Sequence, residues 1–157
     1  MTTQEEFYQH ANSFDYIDSL LCNCLFDVCN DRMIESTTRV NFINWLNFKP
    51  SRPTISLLPG EKRRFFHFVK EIAEYVSDKR YRKEWINAML ESCNINYENY
   101  DKHASDVSGC NSSTTKNEAF NKALKDAISR YNIFVNPYLN EQLMDFFDDL
   151  RRNMKKK

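Results

Sequence analysis

The sequence contains very little glycine. Of its 157 residues, 2 are glycine and 4 are proline. The many tight turns of a β-sandwich or barrel rely on glycine, so this composition favours a few long helices. The phosphate-binding loops of Rossmann and P-loop proteins also need glycines at fixed spacing, and neither GxGxxG nor GxxxxGKS/T can be written here. Both of these nucleotide-binding classes are therefore excluded.

Long apolar runs are also missing. No segment approaches the roughly 18 residues that suggest a membrane span. The first ten residues, MTTQEEFYQH, have neither the basic nor the apolar region of a secretory signal. Five cysteines (Cys22, Cys24, Cys29, Cys93 and Cys110) are an odd number in a chain long enough to fold without disulfides. We therefore expect reduced thiols, an intracellular location in cytoplasm or nucleus, and no membrane partner.

Net charge is absent as well, because 22 basic residues balance 22 acidic ones. The charges are nevertheless separated along the chain. Acidic and basic residues number seven and two in 1–48, four and ten in 49–83, eleven and five in 84–150, and none and five in 151–157. Such alternation predicts surfaces of opposite sign on one fold, so a zero total does not exclude an anionic partner.

Apolar residues recur at spacings of three and four through most of the chain, which predicts amphipathic helices. One such helix starts at a capping box formed by Thr3 and Glu6. It is open to interruption at Asn12–Ser13, whose side chains compete for backbone hydrogen bonds. Another begins near Thr37 or Thr38, and the last begins at Asn136–Pro137, an N-cap residue followed by a proline at the first helical position. The predicted fold class is all-α: a single globular bundle of five to seven helices over 1–157, with one long loop.

Three segments do not show this helical spacing of apolar residues. Residues 49–60 hold three of the four prolines and are predicted to be an extended connector packed across the helices. Residues 94–115 are predicted to be a long, partly mobile loop, and 155–157 a basic tail. In the last helix we expect the apolar residues to face the interior; these are Leu139, Leu143, Phe146, Phe147, Leu150 and Met154.

A basic block within residues 62–83 is the first candidate binding surface. Guanidinium and ammonium groups suit phosphates, and nearby aromatic rings can stack on unpaired bases. The block predicts binding of RNA, single-stranded DNA or an acidic protein, with surface solubility or pairing to the acidic helices of the same fold as alternatives. The basic block is Lys62, Arg63, Arg64, Lys79, Arg80, Arg82 and Lys83.

Aromatic residues exceed what one small core obviously needs, since 14% of the chain is aromatic. Aromatic side chains are enriched at the centres of protein interfaces. We therefore expect Phe66, Tyr75 and Tyr81 to contact a protein partner. The favoured function is a non-enzymatic adaptor or regulatory domain that binds a partner helix or peptide, and the first alternative is a helical nucleic-acid-binding domain.

The sequence gives only weak indications of a catalytic or metal site. An unrecognised hydrolase or nuclease is therefore the second alternative function. Cys22, Cys24 and Cys29 point in divergent directions on a helix, so core packing is favoured over a metal site. The three histidines stand in no motif. The pairings to consider are His103 with Cys110 in the long loop, and His67 with Arg63 or Arg64, a combination that an RNase could use. We expect no catalytic residue, no metal and no cofactor.

Overall fold

The computed structural model describes residues 4–106 and 115–155, and in these ranges the protein is all-α. It contains eight α-helices and no strand there, one helix more than the upper end of the predicted range. A short 3₁₀ helix, Lys79–Tyr81, directly precedes the fifth α-helix. The helices are α1 Gln4–His10, α2 Ser19–Cys29, α3 Arg39–Asn47, α4 Lys62–Ala73, α5 Arg82–Ser92, α6 Tyr97–His103, α7 Thr115–Val135 and α8 Pro137–Lys155.

Local sequence determines several helix starts. The side chain of Asp18 accepts a hydrogen bond from the Leu20 backbone at the start of α2. Thr38 caps α3 in the same way, as its position in the sequence predicts. The predicted interruption at Asn12–Ser13 is confirmed, because non-helical residues 11–18 separate α1 from α2. The proposed cap at Thr3 lies outside the described residues.

Many of the aromatic side chains lie in the core. Trp45 of α3 and Trp85 of α5 are almost fully buried, and the Trp85 indole N–H donates to the Leu46 carbonyl oxygen at 2.9 Å. The apparent surplus of aromatic residues is therefore largely core packing. Other buried aromatic residues include Phe7, Tyr16, Phe42, Phe48 and Phe66.

A buried asparagine links α3 to the segment before α2. Asn47 is fully buried, and its amide oxygen accepts from the Ile17 backbone N–H at 2.8 Å. Its amide nitrogen donates to the Ile43 carbonyl oxygen at 3.0 Å. Both ends of the side chain are thus used, which explains how a polar group can lie in this core.

Residues 49–60 connect α3 to α4 without forming a helix. Ile55 is buried, and Leu57 pairs with Ile34 in an isolated antiparallel bridge.

The prediction of a long loop over 94–115 needs correction, because helix α6 lies inside this segment. Asn96 caps α6 by accepting from the Asn99 N–H, and Tyr100 of α6 is buried. Residues 107–114 of the predicted loop, and residues 156 and 157 of the predicted tail, lie outside the described residues.

None of the helices in the described ranges has both the length and the apolar character needed to cross a membrane.

Candidate functional site: the apolar surface of the last two helices

The arginines of the basic block are mostly paired with carboxylates of the same chain. Arg63 forms an ion pair with Asp106, which lies 43 residues further along the sequence. Arg82 approaches Glu74 at 3.4 Å, and Arg80 approaches Asp78 at 2.8 Å. These pairs reduce the positive potential that the sequence predicts for residues 62–83.

Arg64 is the most buried cation of the basic block. It is 8% exposed and donates to the carboxylate of Glu61, which is 2% exposed. Arg64 also donates to the Asn117 amide oxygen at 2.6 Å, while Lys116 lies 3.0 Å from Glu61. Burial by itself raises the pKa of Glu61, but the hydrogen bonds and charges of Arg64 and Lys116 outweigh it and hold the pKa below its ordinary value. Arg64 therefore joins α4 to the start of α7.

The remaining cations of the basic block are exposed lysines. Lys62, Lys79 and Lys83 form no ion pair within the part of the chain that the structure describes. They lie on three separate elements: the start of α4, the 3₁₀ helix and the start of α5. Of the basic block, three exposed lysines therefore remain available to bind a nucleic acid, whereas all four arginines make contacts inside the fold.

The three aromatic residues expected at a partner interface contact other parts of the chain. Phe66 is fully buried, so its expected place on the surface is wrong. Tyr81 is 8% exposed and stacks on His10, with 4.6 Å between ring centroids. Tyr75 is half-buried and meets Tyr131 edge to face at 6.1 Å. We do not include these residues in the proposed interface.

The described histidines and cysteines form no cluster that could hold a metal ion. His67 Nε2 lies 2.9 Å from the Asn121 amide oxygen, and burial lowers the pKa of His67. His103 lies 2.9 Å from Asp106, the carboxylate that also pairs with Arg63. Cys110, the thiol that the sequence placed with His103, is outside the described residues.

The cysteines of α2 give a direct test of the core-packing interpretation. Cys22 and Cys29 are fully buried, which raises the pKa of both thiols, that of Cys22 to about 12. We expect iodoacetamide at mildly alkaline pH to leave both unmodified in the folded protein and to modify both in denaturant, because the thiolate is the reactive form. Peptide mass spectrometry measures this, with half-buried Cys24 as the matched control on the same helix. Equal modification of Cys22, Cys24 and Cys29 in the folded protein would contradict the interpretation.

A cavity of about 450 Å³ lies beside the Glu61–Arg64 pair. Val28, Leu58 and Phe120 form part of its apolar wall. Glu61, Arg64 and Lys116 lie at its edge, and they are already paired with one another. These three charged groups thus serve to join α4 to α7.

The most distinctive surface of the chain is formed by the end of α7 and by α8. The middle of α7 packs on α2, where Phe120, Leu124 and Ala127 are buried. Beyond Tyr131, whose hydroxyl donates to Asp18 at 3.2 Å, the last turn of α7 is exposed. Among the described helices, α8 has its main contacts with α7, the helix that directly precedes it.

Large apolar side chains are exposed along this part of the chain. Phe134 is 63% exposed, Phe146 58% and Met154 75%. Every side chain of α8 that the structure describes is exposed except Asp148, which is half-buried. We call this set the C-terminal apolar surface, and it consists of Ile133, Phe134, Val135, Met144, Phe146, Phe147, Leu150 and Met154.

The expected inward orientation of α8 is therefore wrong for Phe146, Phe147, Leu150 and Met154. The side chains of Leu139 and Leu143 lie outside the described set. The physical reason is the connection between the helices, since only Asn136 separates α7 from α8. The Asn136 N–H donates to the Asn132 carbonyl oxygen at 3.0 Å, so the hydrogen bonds of α7 continue into the link. An antiparallel helix pair needs a loop of about 2–5 residues, and one residue does not allow α8 to reverse onto α7.

In comparisons with protein-family models, curated proteins and solved structures, nothing matches this chain.

Proposed function

We propose that this chain is a non-enzymatic interaction domain, of adaptor or regulatory type, whose C-terminal apolar surface binds a helix of a protein partner. The single observation that carries the proposal is the exposure of eight large apolar side chains on adjacent helical segments. The reduced cysteines of the described residues support an intracellular location.

The size of the C-terminal apolar surface favours a protein partner. With about 200 Å² for each fully exposed large side chain, the exposed fractions amount to roughly 800 Å². The five of these residues that lie on α8 account for roughly 550 Å² of this area, near the upper end of the roughly 300–600 Å² found for the largest apolar patch on a typical monomer. Leaving such an area in water costs free energy, and a protein partner removes that cost by covering it.

The pattern on α8 favours a helical partner. Phe147, Leu150 and Met154 are three and four residues apart, which places them on one face of the helix. Phe146 extends the same face, while Asp145 and Asp149 lie outside it. Helices with such a stripe bind in the groove of a partner or pair with a second amphipathic helix.

Site-specific photocrosslinking tests the proposal. A benzophenone amino acid replaces Phe147 on the apolar face, and in a matched variant it replaces Asp145 on the opposite face. In an extract of the cells that make the protein, we expect irradiation to give a discrete covalent adduct from position 147 only. We expect the additional substitutions Phe146→Glu and Leu150→Glu to remove this adduct, because two carboxylates in an apolar interface are costly to desolvate.

Two results would contradict the proposal. Equal adducts from positions 147 and 145 would indicate unspecific collision, and an adduct that survives Phe146→Glu with Leu150→Glu would place the contact elsewhere. Circular dichroism serves as the folding control, since Phe146 and Leu150 are exposed and their replacement leaves the core unchanged.

A further inference from the structure

We infer that the partner of the C-terminal apolar surface is a second copy of this chain, with the two α8 helices packed antiparallel in a symmetric dimer. This inference rests on the proposed function and specifies its partner. It follows from the charge distribution of α8, the area of the exposed surface and the link between α7 and α8.

The charges of α8 are divided between its two halves. Residues 137–149 contain four acidic residues and no basic one, whereas 150–155 contain three basic residues and no acidic one. Parallel pairing of two copies would place like charges side by side. Antiparallel pairing places the acidic half of each copy beside the basic half of the other, so the helix is complementary to itself.

Ion pairs within the helix do not prevent this arrangement. Arg151 lies 2.7 Å from Asp148, and Arg152 lies 3.7 Å from Asp149. All four side chains are about half exposed or more, and ion pairs of this kind contribute only about 0–1 kcal/mol. Their charges therefore remain able to meet opposite charges on a second copy.

The exposed area matches what a dimer needs. With about 200 Å² for each fully exposed large side chain, the five apolar residues of this surface on α8 expose roughly 550 Å² on each copy, or about 1,100 Å² in a symmetric pair, above the roughly 1,000 Å² expected of a biological interface. Two-fold symmetry requires one surface to be complementary to itself. The C-terminal apolar surface meets this condition through its area and through the charges of α8.

The link at Asn136 favours an intermolecular partner. A single residue between α7 and α8 prevents α8 from folding back along α7 of its own chain. The apolar face of α8 is thus presented away from the helix that precedes it. A second copy presents an identical face, so two chains can cover each other.

Sedimentation equilibrium of the purified full chain tests the inference. From the low to the high micromolar range, we expect the average mass to rise from the chain mass of 18.8 kDa toward twice that value. We expect Phe146→Glu with Leu150→Glu to weaken self-association at least roughly 30-fold, the loss expected when an interface hot spot is removed. Leu20→Glu with Val40→Glu is the matched control, since both residues are exposed apolar residues on other helices; we expect it to dimerise like the parent chain.

Charge reversal tests the orientation of the helices. Asp145→Lys with Asp149→Lys changes the net charge of residues 137–149 from −4 to zero, and Arg151→Glu with Arg152→Glu changes that of 150–155 from +3 to −1. In an antiparallel dimer, each variant alone removes the attraction between the acidic and the basic half, so we expect each to weaken self-association about tenfold. A mixed dimer of the two variants keeps one of the two attractive contacts, so we expect an equimolar mixture to associate more strongly than either variant alone. Parallel pairing predicts no weakening in either variant, and that result would overturn the antiparallel arrangement.

The outcomes separate this inference from the proposed function. A parent chain that stays monomeric at high micromolar concentration would overturn the dimer, whereas the crosslink from position 147 would still report a different protein partner. Self-association that is unchanged by Phe146→Glu with Leu150→Glu would also overturn the inference, because another surface would then mediate it.

Discussion

Replacement of Glu61 by glutamine is expected to lower the free energy of unfolding by about 3 kcal/mol. The substitution keeps the shape of the side chain and removes its charge, which leaves Arg64 at 8% exposure without its buried carboxylate. An uncompensated buried charge is strongly destabilising, whereas the intact pair need contribute little. Urea denaturation followed by circular dichroism measures the difference.

The pH dependence of Glu61 follows from its lowered pKa. A carboxyl group whose pKa is lower in the folded than in the unfolded chain stabilises the fold above its unfolded value, here close to the ordinary 4.5. This contribution is lost as the pH falls through the folded pKa. Glu61→Gln has no such group, so we expect its unfolding free energy to decline less between neutral and acidic pH than that of the parent chain.

A matched control separates burial from charge. Arg63→Gln breaks the ion pair with Asp106, in which the Arg63 side chain is 52% exposed. Exposed pairs contribute about 0–1 kcal/mol, so the control is expected to unfold almost like the parent chain. An equal loss in Glu61→Gln and Arg63→Gln would contradict the argument that burial makes the Glu61–Arg64 pair critical.

The Glu61–Arg64 pair also shows what sequence reasoning missed. Sequence places Arg64 among surface cations because lysine and arginine dominate the first turn of α4. In the structure, Glu61 also forms an ion pair with Lys116, and Arg64 also donates a hydrogen bond to Asn117. Lys116 and Asn117 belong to α7 and are more than fifty residues away in the sequence. Such a contact depends on how helices pack, and one sequence carries no local signal for it.

Local features of the sequence were more informative about the fold. Thr38 caps α3 and Asn12–Ser13 interrupts the first helical segment, and both effects act within a few residues. Helix α6 was missed because it has only seven residues and a single buried side chain, Tyr100. So short an element produces almost no amphipathic period.

The surface of α8 was misassigned for a different reason. Phe146 and Leu150 repeat at helical spacing, and this repeat is the same whether the helix packs inside its own chain or on a partner. The distinguishing feature is the single residue between the last turn of α7 and Pro137, which becomes visible only once the end of α7 is known from the structure. Loop length, considered together with amphipathicity, predicts that α8 projects from the bundle.

Replacement of Asn47 by alanine is expected to destabilise the fold by about 3 kcal/mol, since it combines an unsatisfied buried group with a cavity. The Ile17 N–H, which donates to the Asn47 side chain at 2.8 Å, would be left buried without its acceptor. The contact joins residues 30 positions apart and ties α3 to the segment that leads into α2. Thermal and urea unfolding measure the loss, and we expect both transitions to stay cooperative.

Asn44→Ala is the matched control, because it makes the same chemical change on the same helix. Asn44 is half-buried, and its amide nitrogen lies 3.4 Å from the Ser51 hydroxyl, a long hydrogen bond. We expect this variant to lose less than about 1 kcal/mol, the usual net contribution of one hydrogen bond. If both variants lost the same free energy of unfolding, the buried hydrogen bond to Ile17 would not explain the effect of Asn47→Ala. An effect common to both substitutions would then explain it. A large loss confined to Asn47→Ala would instead show that one buried amide holds α3 against the start of α2. Helix α2 is in turn the helix on which α7 packs, and the end of α7 forms part of the C-terminal apolar surface.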